Sequence, residues 1–155
     1  MHHFSVASFL GLLLVLGISS ANATTANDLI TADTASATHK IVGYDFALLG
    51  KICRGKIANV DEVLAKRSRS AIEFERRIAL VVQKYRARTR KELGTEAESN
   101  LYADAHAKNE AFAEQVRSSS SNDPPSRTLD CSTSPHTLAD ADRELEGILA
   151  WLESQ

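Results

Sequence analysis

The stretch VDEVLAKRSRSAIEFERRIALVVQKYRARTRKEL, residues Val60–Leu93, contains neither proline nor glycine, and Gly94 follows it directly. Its apolar positions Leu64, Ala71, Phe74, Ile78, Val81, Val82 and Tyr85 recur mostly at steps of three, four and seven. That period places them along one side of an α-helix. The pattern predicts a long amphipathic helix over Val60–Leu93, or two collinear ones broken near Lys66–Ser70. Asn59, with Glu62 three residues on, reads as a capping box at its start.

Gly94 stops this helix, and Thr95-Glu96-Ala97-Glu98 reads as a second capping box that starts another. Leu101, Ala105, Phe112, Ala113 and Val116 form its apolar stripe. So tight a turn between two helices predicts an antiparallel hairpin. Upstream, Phe46, Leu48, Leu49, Ile52 and Cys53 share one side of a short helix that Gly55 ends. Downstream, residues 118–136 are rich in serine and proline and read as a loop. A last helix, capped by Ser134 or Thr137, carries Leu138, Ala141, Leu145, Ile148, Leu149 and Leu152 on one side. The expected fold is all-α: an irregular four-helix bundle built on the long antiparallel hairpin.

The N-terminus predicts export. Phe9–Ile18 is an uncharged apolar run, followed by Ala21-Asn22-Ala23, whose small residues suit signal-peptidase cleavage after Ala23. The run is shorter than the roughly 20 residues of a membrane span. Residues 1–23 therefore read as a cleaved signal peptide. Residues 24–43, rich in Thr, Ala, Ser and Asp, read as a flexible N-terminal arm, and 44–155 as a single helical domain. The expected location is secreted or periplasmic. There an even pair of cysteines, Cys53 and Cys131, is most simply one disulfide.

Composition narrows the function classes. Eighteen Lys and Arg against 20 Asp and Glu give a net charge of −2, with no global pull toward nucleic acid or anionic lipid. His39, His106 and His136 lack metal-ligand spacing, and no GxSxG elbow, HExxH motif or glycine-rich phosphate loop occurs. Neither a catalytic residue nor a cofactor or metal is expected.

The loudest local signal is basic: Lys84, Arg86, Arg88, Arg90 and Lys91 crowd the end of the long helix. Two meanings compete. The cluster could recruit a protein partner with an acidic surface, with Trp151 as a second anchor. Alternatively, it matches acidic neighbours within the bundle, because Glu96, Glu98, Asp104, Glu110 and Glu114 follow on one helix and Asp140, Asp142, Glu144, Glu146 and Glu153 on the last. The expected function is protein–protein binding, of an inhibitor, immunity or adaptor kind, without catalysis. A small-ligand or lipid carrier with an apolar cavity is the second expectation, and an enzyme with a non-motif site the third. Membrane-surface contact is not favoured.

Overall fold

The computed structural model describes residues 21–155, with side chains from Thr24 onward. Residues 1–20 of the expected signal peptide lie outside the described residues. Four helices follow: α1 (Ala21–Cys53), α2 (Val60–Leu93), α3 (Thr95–Ser121) and α4 (Ser134–Ser154). Among the described residues no strand forms, and Cys53 and Cys131 are joined in a disulfide. The all-α bundle and its hairpin are as the sequence predicts.

α1 is the axis of the bundle. It packs against α2, α3 and α4, while α2 also packs on α3 and α4, and those two touch only marginally. Thr25 bonded to Glu92 and His39 bonded to Arg67 set α1 antiparallel to α2. Asp33 meets His106 and Lys40 meets Glu110, so α1 runs parallel to α3. α1 approaches α2 closely at Gly50, where a Cβ would lie 2.7 Å from a Leu64 methyl. Gly94, at φ 92°, turns α2 into α3 through a conformation that other residues rarely adopt.

The expectation of a flexible arm over residues 24–43 is wrong. This segment is helical, and Leu29, Ala32, Asp33, Ala35, Ala37, His39, Ile41 and Val42 are buried. A helix enclosed by neighbours has no single solvent face, so it shows no amphipathic stripe to read. Its threonines are tolerated because the Thr31 and Thr38 hydroxyls donate back to the Asn27 and Thr34 carbonyls.

Three polar side chains on α1 are buried at intervals of six residues: Asp33, His39 and Asp45. Six residues turn a helix by roughly 600°, so successive members point about 120° apart. Each is held by a different element. Asp33 accepts from His106 Nδ1 at 2.8 Å and Asn109 Nδ2 at 2.7 Å, both on α3. His39 Nε2 lies 2.8 Å from Nη2 of Arg67 on α2, and its ring stacks on Phe74 at 4.2 Å. Asp45, fully buried, is clamped by Arg127 at 2.5 and 3.2 Å from the α3–α4 loop.

That loop is shorter than composition suggested. α3 continues to Ser121 and α4 begins at Ser134, leaving residues 122–133 instead of 118–136. Ser119 and Ser120 remain helical because their hydroxyls donate to the Val116 carbonyl. Three anchors fix the loop to α1: Arg127 on Asp45, Cys131 on Cys53, and Lys51 donating to the Asn122 carbonyl at 3.0 Å. The expected side-chain caps do not form. Asn59 adopts φ 63°, and Gly94 itself occupies the cap position before Thr95.

Arginine can only donate, so His39 accepts at Nε2 and carries its proton on Nδ1. Burial, reinforced by the Arg67 charge, pushes its pKa down to about 3. An unfolded histidine titrates near about 6.5, so unfolding takes up a proton below that pH. The stability this neutral ring contributes is complete above about pH 6.5 and falls away toward about pH 3, by about 2 kcal/mol between about pH 8 and about pH 5. Burial pushes the Asp45 and Asp142 carboxyls upward, and these act in the opposite sense. The comparison with His39→Gln therefore isolates the ring: the parent should lose more stability toward acid than the variant. Its imidazole proton shifts should stay flat down to about pH 4.5.

The disulfide closes a 78-residue separation. The chain-entropy relation gives about 4–5 kcal/mol for such a loop. Cys131→Ser should lower the melting temperature clearly, and proteolysis of the variant should begin within residues 122–133 before the α2–α3 hairpin is cut.

Candidate interaction surface

The basic cluster at the end of α2 is largely consumed inside the bundle. Arg86 Nε and Arg90 Nη2 grip Glu98 at 2.5 and 3.0 Å, one oxygen each. Glu98 is wholly buried beneath them, and Arg86 also lies 4.2 Å over the Tyr102 ring. The Arg86 hydrogen bond, assisted by Arg90, holds the Glu98 carboxyl below the usual carboxylate range. This pair of arginines locks α2 to α3 just beyond the turn. Glu98 therefore does not close a capping box; the T-x-x-E spacing had a second use that a one-helix reading misses.

Lys84 and Arg88 serve the other neighbour. α4 has no basic residue in its last turn, so its terminal carbonyls lack a cation from their own helix. α2 supplies it: Lys84 Nζ donates to the Leu152 and Glu153 carbonyls at 3.3 Å, and Arg88 to that of Gln155 at 3.1 Å. Buried Tyr85 adds its hydroxyl to the Leu152 carbonyl at 3.0 Å. Cations there meet the negative end of the α4 dipole. Of the five residues in the cluster, only Lys91 is without an ion pair or hydrogen bond among the described residues.

The same pattern extends along α2. Arg77 bridges Glu146 and Glu153 at 2.8 and 2.6 Å. Arg67 reaches Asp142 at 3.4 Å and the His39 carbonyl at 3.1 Å. Between them is a cleft of about 120 Å³ lined by His39, Ser70, Phe74, Asp142, Arg143 and Glu146. Pockets for small molecules run from about 300 Å³ upward. No group of three or more metal-ligating side chains gathers among the described residues.

Trp151 is 48% exposed. Glu153, two residues on and thus about 200° around α4, faces Arg77, so the indole points away from α2. The structure does not bring Trp151 and the basic cluster together.

What α2 leaves open is its outward side. Ala65, Ile72, Leu80 and Ala87 are all exposed and lie within an arc of about 80° around α2. Ile72 is 70% and Leu80 54% exposed, whereas Phe74, Ile78 and Val81 beside them are buried. Arg69 within this arc and Lys66 and Lys91 beside it are without a partner among the described residues. Arg76, four residues from each of the two large apolar side chains and so midway between them, holds Glu73 at 2.7 Å. Local charge density in the sequence cannot distinguish cations used within the bundle from free ones.

Compared with known protein families, curated proteins and solved structures, the chain matches none.

Replacing Arg86 and Arg90 together by Gln strands a buried carboxylate. Removing the partners of a buried charge costs about 3–5 kcal/mol, and the half-exposed arginines place this pair toward the low end. The double variant should melt well below the parent, and the Glu98 carboxyl, followed by carbon-13 shifts, should titrate at a higher pH. The difference from the parent should shrink in acid, as the stability conferred by a depressed carboxyl is lost once it protonates.

Proposed function

We propose that this chain is an exported binding protein that works by surface complementarity, through the outward side of α2. One observation carries the reading: Ile72 and Leu80 face solvent on a helix whose other face is fully packed, and unpaired cations border them. Isolated exposed apolar residues are ordinary on any surface. Two large ones eight residues apart, with the Arg76–Glu73 pair between them and Ala65 and Ala87 beyond, form a mixed contact strip. The scaffold beneath is held by the disulfide and by buried ion pairs, so the strip is presented on a rigid support.

Export is supported by the Phe9–Ile18 run with Ala21-Asn22-Ala23 after it, and by the paired cysteines, which persist in oxidising compartments. No helix among the described residues is long and apolar enough to cross a membrane. On this reading the mature chain begins near Thr24, the α1 residue at which cleavage after Ala23 would leave it.

Site-specific photo-crosslinking in the natively exported protein tests this. A photoreactive residue at position 72 or 80 should give one discrete protein adduct, and the same residue at exposed position 96 on α3 should give none. Absence of adducts from 72 and 80, or equal labelling from 96, would contradict the assignment. Edman sequencing of the recovered protein should start at or near Thr24.

A further inference from the structure

We draw no further inference here: the strongest candidate, the cleft between α1, α2 and α4 lined by His39, Phe74, Asp142 and Glu146, carries none, because its two carboxylates are already paired with Arg67 and Arg77 and the one Asp142 oxygen without a hydrogen bond is itself buried, out of a ligand's reach.

Discussion

The rest of the structure depends on how α1 is enclosed. A helix packed on three sides must bury whatever its sequence presents, and this one presents Asp33, His39 and Asp45. Burying such groups unpaired would destabilise the bundle by several kcal/mol. Each is instead met by a partner from a different element: His106 with Asn109, Arg67, and Arg127. Because the three point roughly 120° apart, they fix the rotation of α1 and the level at which each neighbour sits. An apolar interior of alanines and leucines would accept several registers; these contacts accept one.

The same economy of pairing explains the surface. α2 is the basic helix, and it lies between two acidic ones. Where its cations meet α3 they close over Glu98, and where they meet α4 they close over Asp142, Glu146, Glu153 and the last-turn carbonyls. The exposed pairs among these contribute little individually, but Glu98 and Asp142 sit inward, where loss of a partner is costly. The cations left over lie on the outward side, together with Ile72 and Leu80. The candidate site is thus what remains of a charged helix once the bundle has taken its share.

α2, α3 and α4 were legible in the sequence because each has one wet side, and a one-sided burial writes a stripe with a helical period. Cys53 and Cys131 were legible because an even pair of cysteines behind a leader-like apolar run has one simple reading, a disulfide. The first half of α1 was not: enclosure erases the stripe, and Thr, Ala and Ser read as loose chain until Thr31 and Thr38 are seen bonded to their own helix. Glu98 was misread since its spacing from Thr95 fits a cap, whereas its real partners, Arg86 and Arg90, lie across a turn. The serines of 118–121 were misread for a related reason, as the Ser119 and Ser120 hydroxyls serve the helix they were thought to end. The basic residues themselves were found from sequence, but which of them stay free is a property of neighbours that only the packed bundle reveals.

Native-state hydrogen exchange along α1 tests the central claim most directly. If α1 is the enclosed axis, the amides of Leu29 through Asp45 should exchange only through global unfolding, with protection matching that of Phe74–Tyr85 on α2. Fast exchange over residues 29–43, with protection beginning only near Phe46, would restore the flexible arm and contradict the account.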